Sequence, residues 1–135
     1  MKIRVISSRK GIETLRPNEK FIHLSFRPSN VDFLKLIQMS PRLQAVQIPP
    51  SYTKTMSKAI GVFLEMQGVK LLEGDVWGHR VDLDEYFTVP EEAVIAIKSL
   101  TEQGVALEKT ATEVNKTTKL GTDLIKYIAK ADIAA

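Results

Sequence analysis

Four short apolar runs punctuate the front of the chain: Ile3–Ile6, Phe21–Phe26, Ala45–Ile48 and Val69–Leu72. Each has strand length, and most carry the β-branched or aromatic residues that suit a pleated surface. Between them the apolar spacing becomes helical. Val31, Leu34, Leu36 and Ile37 form one stripe; Met56, Ile60, Phe63, Leu64 and Met66 form a second. Helix-starting residues stand ahead: Ser8 before the short stretch Arg9–Leu15, Ser29 or Asn30 before the first stripe, Ser51 before the second. Pro41 and Gly68 stop the two helices. This alternation predicts an α/β fold, a small and mainly parallel sheet of about four strands with crossover helices. The strands recur every 18 to 25 residues, a spacing shared with leucine-rich solenoids, but their irregularity favours a compact sheet.

Beyond Gly74 the pattern changes. Asp75–Arg80 reads as a loop, and Asp82 as the cap of a short helix running through Phe87. Thr88-Val89-Pro90-Glu91 has capping-box spacing and opens a helix carrying Val94, Ile97 and Leu100 as far as Gly104. Leu107, Ala111 and Val114 mark a second helix ending near Asn115; Leu124, Ile125, Tyr127 and Ile128 mark a third. The chain therefore divides into a sheet domain over residues 1–88 and a three-helix C-terminal segment over 89–135.

At 135 residues the chain can bury roughly two thirds of its unfolded surface, enough for a core without staples. Hydrophobic residues make up 44% and charged residues 26%, a globular balance. The absence of cysteine excludes disulfides, thiolate metal sites and thiol nucleophiles. The charged start Met1-Lys2-Ile3-Arg4 is no signal peptide, and no apolar run reaches the roughly 18 residues of a membrane span. A soluble cytoplasmic protein is expected. Net charge is +3: residues 1–89 hold 13 Lys and Arg against 9 acids, residues 90–135 hold 6 against 7.

Parallel strands all end on one edge, and open α/β folds bind ligands outside it. That edge would gather Ser8, Arg9, Arg27, Ser29, Asn30, Ser51, Tyr52, Trp77, His79 and Arg80. Arginine forks and helix N-termini favour phosphate or carboxylate, and Tyr52 and Trp77 offer flat apolar walls. The leading expectation is a non-enzymatic module that binds an anionic small molecule there. Capping alone accounts for Ser8, Ser29 and Ser51, but not for the arginines or for Trp77-Gly78-His79-Arg80.

Leu107–Ile128 supports a second reading, a DNA-binding regulator, because it resembles a helix-turn-helix unit. Ala111 stands where two helices approach closely, and Asn115 where the turn needs a left-handed residue. Thr122, Lys126 and Lys130 would face DNA. The expected connection Lys116–Gly121 is longer than the usual tight turn, and the acidic balance beyond residue 90 opposes DNA. The plainer alternatives pack these helices on the sheet, or make them a protein-interaction module that pairs with a partner protein or with a second copy, giving a homo-oligomer.

For catalysis the sequence names no residue. His23 reads as a core histidine; His79 could exchange protons but has no nucleophile to serve. No phosphate loop, dinucleotide fingerprint, nucleophile elbow or metal-ligand spacing is present, so neither a metal nor a particular cofactor is indicated. Four segments do stand out together: Ser7-Ser8-Arg9-Lys10; His23-Leu24-Ser25-Phe26-Arg27-Pro28-Ser29-Asn30; Pro50-Ser51-Tyr52; and Leu71-Leu72-Glu73-Gly74-Asp75-Val76-Trp77-Gly78-His79-Arg80. In them the chain resembles a small family of uncharacterised proteins from methanogenic archaea, catalogued as a domain of unknown function. The resemblance implies a cytoplasmic archaeal protein and brings no activity, cofactor or catalytic residue.

Overall fold

A computed structural model describes residues 1–76 and 86–131. Strand β1 (Lys2–Ile6) leads through a 3-10 helix (Arg9–Thr14) to β2 (Phe21–Leu24). Helix α1 (Asn30–Met39), β3 (Ala45–Ile48), the single-turn α2 (Pro50–Thr53), α3 (Lys58–Met66) and β4 (Lys70–Glu73) follow. Then come β5 (Tyr86–Thr88) and helices α4 (Glu91–Glu102), α5 (Leu107–Thr118) and α6 (Thr122–Lys130).

The sheet runs β4-β3-β2-β1-β5, with the first four strands parallel. Because each crossover steps to the next strand in the same direction, right-handedness places every crossover helix on one face. There Ile6, Ile22, Leu24, Val46 and Ile48 pack against Ile12, Phe33, Leu36, Ile60 and Leu64. The opposite face would be naked without the C-terminal helices. It presents Ile3, Ala45 and Leu72 to Ala93, Val94 and Ile97 of α4, Ala111 and Val114 of α5, and Leu124, Ile125 and Ile128 of α6. The layers are helices, sheet, helices, with both sheet faces covered as parallel strands require.

The four predicted strands are present. A fifth was not foreseen: Tyr86–Thr88 pairs antiparallel with β1, Ile3 opposite Phe87. Phe87 thus lies in a strand rather than in the expected helix; Asp82 falls outside the described residues. Three expectations about α1, α2 and α4 need correction. In α1 Leu36 and Ile37 face inward as expected and Phe33 joins them, while Val31 and Leu34 of the expected stripe are exposed. Ser51 lies inside α2, whose first residue is Pro50; Ser57 is the residue that caps α3 through the Ile60 N–H. The Thr88–Glu91 capping box does not form, since Thr88 is bound into β5 and Pro90 stands at the cap of α4.

Strand register also puts two polar residues deep in the sheet. Val5, His23, Gln47 and Leu72 lie side by side on the face under the C-terminal helices. His23 Nδ1 and Gln47 Oε1 are 2.9 Å apart, both buried, so the histidine is the core residue its position suggested.

Candidate nucleic-acid interface

The C-terminal helices owe their arrangement to a short turn. The hydroxyls of Thr117 and Thr118 both donate to the Val114 carbonyl, which keeps α5 helical through Thr118. Lys119 then adopts left-handed φ 59°, its N–H closing on the Asn115 carbonyl. Leu120 is buried, and Gly121 stands at the cap of α6. The connection between α5 and α6 is therefore Lys119–Gly121, the tight three-residue turn of a helix-turn-helix. The longer linker expected from the sequence is absent because α5 does not end at Asn115. That residue works from within the helix, its Nδ2 donating to the Leu120 carbonyl at 2.7 Å.

Three contacts fix α6 to the sheet. Gly121 meets Gly74 backbone to backbone: a Cβ on Gly121 would lie 3.3 Å from the Gly74 Cα and from the Glu73 carbonyl oxygen. Asp123 Oδ2 accepts a hydrogen bond from the Glu73 N–H at 2.9 Å, on the open edge of β4. Tyr127 stands edge-on to Phe21, ring centroids 6.0 Å apart. With Leu124, Ile125 and Ile128 turned inward, Thr122, Lys126 and Lys130 remain at four-residue intervals along the outer side. Lys126 Nζ also reaches Glu108 Oε1 of α5 at 2.7 Å. A groove of about 450 Å³ runs between this side of α6 and the β4 edge, bordered by Lys70, Asp123, Lys126 and Lys130.

The electrostatic objection from the sequence weakens once the helices are separated. Over residues 105–131 there are five lysines (109, 116, 119, 126 and 130) and three acids (108, 113 and 123). The acidic surplus comes from outside this pair, with Glu91 and Glu92 in the first turn of α4. Lys70 from β4 adds a further cation beside α6.

Of the residues expected at the carboxyl edge of the sheet, Arg27 and Tyr52 meet each other, while Arg9, Ser29 and Asn30 are engaged by neighbours outside the expected set. Arg9 Nε donates to both carboxylate oxygens of Asp32, at 2.9 and 3.0 Å, and its guanidinium lies 5.7 Å from the Phe26 ring centre. Burial alone would raise the Asp32 pKa. The Arg9 hydrogen bond, the Ser29 backbone and hydroxyl bonds and the Arg9 charge outweigh it and hold the carboxyl below its ordinary value. Through the same bond, reinforced by the Asp32 charge, the Arg9 pKa rises. Ser29 and Asp32 form the reciprocal capping box of α1. Arg27 stacks 5.3 Å from the Tyr52 ring centre and donates to Thr55 Oγ1 at 3.0 Å. Asn30 Oδ1 accepts from Ser57 Oγ. Ser8 caps the 3-10 helix without a side-chain bond, and Ser51 is exposed. Trp77, His79 and Arg80 lie outside the described residues. Among the described residues no cluster of metal ligands forms.

Sequence reading passed over Lys70, Gly74, Lys119 and the anchoring role of Asp123. Only the glycine pair carried a signal, one glycine after β4 and one before α6, which becomes informative when the two are known to touch.

A family model for the N-terminal domain of a family of unknown function, DUF1699, matches residues 2–85. The chain belongs to the DUF1699 family. A second model, for the DUF1699 C-terminal HTH domain, matches residues 96–130. The DUF1699 HTH match begins inside α4 and ends on the last residue of α6, so it covers the turn described above. No curated protein and no solved structure matches the DUF1699 chain. Among its described residues no helix is long and apolar enough to cross a membrane.

Proposed function

We propose that this DUF1699 protein is a DNA-binding regulator that offers α6 to a groove of the duplex. The observation that carries the reading is the three-residue turn at left-handed Lys119, which delivers a helix whose only lysines, Lys126 and Lys130, stand on its outer side with Thr122. In such units the second helix enters the major groove while neighbouring cations neutralise phosphates. Lys70 and Lys119 are placed for the second task, one beside α6 and one ahead of it. The cytoplasm, where chromosomal DNA is accessible, is the place of action this reading implies.

The test is fluorescence anisotropy of a labelled duplex titrated with protein over a salt series. Log affinity should fall linearly with log salt, and each phosphate-contacting lysine contributes about 0.9 to that slope. Lys126→Ala with Lys130→Ala should flatten it by up to about 2 while the melting temperature holds. Association that ignores salt, or no association at low salt, overturns the reading.

The carboxyl-edge pocket drew its appeal from uncommitted arginines. Arg9 is paired with Asp32 and Arg27 is stacked on Tyr52, and the match of residues 96–130 to an HTH domain model favours the nucleic-acid reading over the pocket.

A further inference from the structure

Helix α3 covers the sheet with Ile60 and Leu64 and turns another side outward. On that side stand Lys58, Gly61, Val62 and Glu65, bordering a groove of about 520 Å³ that reaches Leu71 on the edge strand. Their spacing of three or four and seven residues keeps them on one stripe, because seven residues make almost two helical turns. Val62 is 57% exposed and Leu71 37%. Neither Lys58 nor Glu65 has an ion-pair partner among the described residues.

The stripe is complementary to its own reverse. Rotate a second copy about a two-fold axis that crosses α3 midway between Gly61 and Val62. Lys58 of each copy then faces Glu65 of the other, both about 5 Å along the helix from the axis at 1.5 Å rise per residue. Val62 of each copy faces Gly61 of the other, and the space above Gly61 is open: a Cβ there would meet nothing within 4 Å. A parallel alignment would set lysine against lysine and glutamate against glutamate. Pairing through the β4 edge instead is obstructed at Glu73, whose N–H is already taken by Asp123. We infer that a second copy of this chain docks on α3, antiparallel, with the Lys58–Glu65 pair made twice and Val62 seated over Gly61. The inference does not rest on DNA binding: α3 and α6 pack on opposite faces of the sheet, and although their grooves meet at Lys70 and Leu71 on the β4 edge, neither Lys58 nor Glu65 borders the α6 groove.

The experiment is sedimentation equilibrium of the whole protein, without DNA, from low micromolar to near-millimolar concentration. The wild type should approach twice the monomer mass. Glu65→Lys or Lys58→Glu alone should weaken self-association about tenfold or more, because symmetry turns two attractive pairs into two repulsive ones. The double variant Lys58→Glu, Glu65→Lys restores both pairs in reverse and should recover the dimer; circular dichroism checks that each variant is folded. A monomer at every concentration overturns the inference. So does a dimer indifferent to the single reversals, or a double variant as weak as either single one.

Discussion

Asp123, in the first turn of α6, is the hydrogen-bond acceptor for the Glu73 N–H on the open edge of β4. One carboxylate thus serves the helix N-terminus, where negative charge is favoured, and the strand edge, where a backbone donor would otherwise face solvent. Asp123→Ala should cost about 1 kcal/mol, seen as a fall of about 3–5 °C in melting temperature. Asp123→Asn, which keeps an acceptor oxygen, should cost less. Equal losses for the two variants would mean that the carboxylate acts through its charge alone.

A Cβ on Gly74 would come within 2.8 Å of Gln47 Nε2 and 3.4 Å of the Gly121 Cα. Gln47 is buried beside His23 and has little freedom to yield. Gly74→Ala should therefore destabilise by about 1–3 kcal/mol in chemical denaturation. Combined with Gln47→Ala, the same change should cost clearly less than the two single costs together. Strict additivity would show that the crowding lies elsewhere, against Gly121.

Lys119 holds a left-handed conformation that glycine adopts without strain. Lys119→Gly should raise stability by about 0.5–1 kcal/mol and, on the nucleic-acid reading, weaken duplex binding by removing an exposed cation. The two readouts should move in opposite directions. A loss of stability would mean that the lysine side chain contributes to the turn.

Asp32 gives the fold an acid-sensitive contact. Its native pKa lies below the ordinary value, despite burial, because of Arg9 and Ser29. The folded state therefore releases this proton more readily than the unfolded state does. The stabilisation is complete above the unfolded value of about 3.9 and disappears as pH falls through the depressed native one. Asp32→Asn should cost about 2 kcal/mol at neutral pH and flatten this part of the acid limb of a stability–pH curve. An unchanged acid limb would assign the sensitivity to other carboxylates.

The strands were legible because parallel strands covered on both faces read as largely apolar runs, as Ala45–Ile48 does, buried throughout and polar only at Gln47. Tyr86–Thr88 was not, because three residues on a sheet edge carry no periodicity of their own. The helix-turn-helix was visible in Leu107, Ala111, Leu124 and Ile128. Its turn was misplaced by four residues, since asparagine has the better intrinsic tolerance for left-handed backbone while the threonine hydroxyls of this helix extend it to Lys119. Arg80 lies outside the described residues, while Arg9 and Arg27 follow the carboxyl ends of β1 and β2. That their charges would be answered by Asp32 and the Tyr52 ring depends on helix rotation, which a stripe of apolar residues defines only loosely.

The C-terminal helices close the sheet face that the crossover helices leave open, using Ile3, Ala45 and Leu72 as their floor. That ties the inheritance of the two halves together. A helix-turn-helix borrowed by another protein would arrive with an oily underside, and a sheet parted from it would tend to precipitate or find a substitute lid. On the nucleic-acid reading, mutations that alter the sequence preference of α6 without loosening the fold are confined to its outer stripe, because Leu124, Ile125, Tyr127 and Ile128 are answerable to the sheet and to the neighbouring helices.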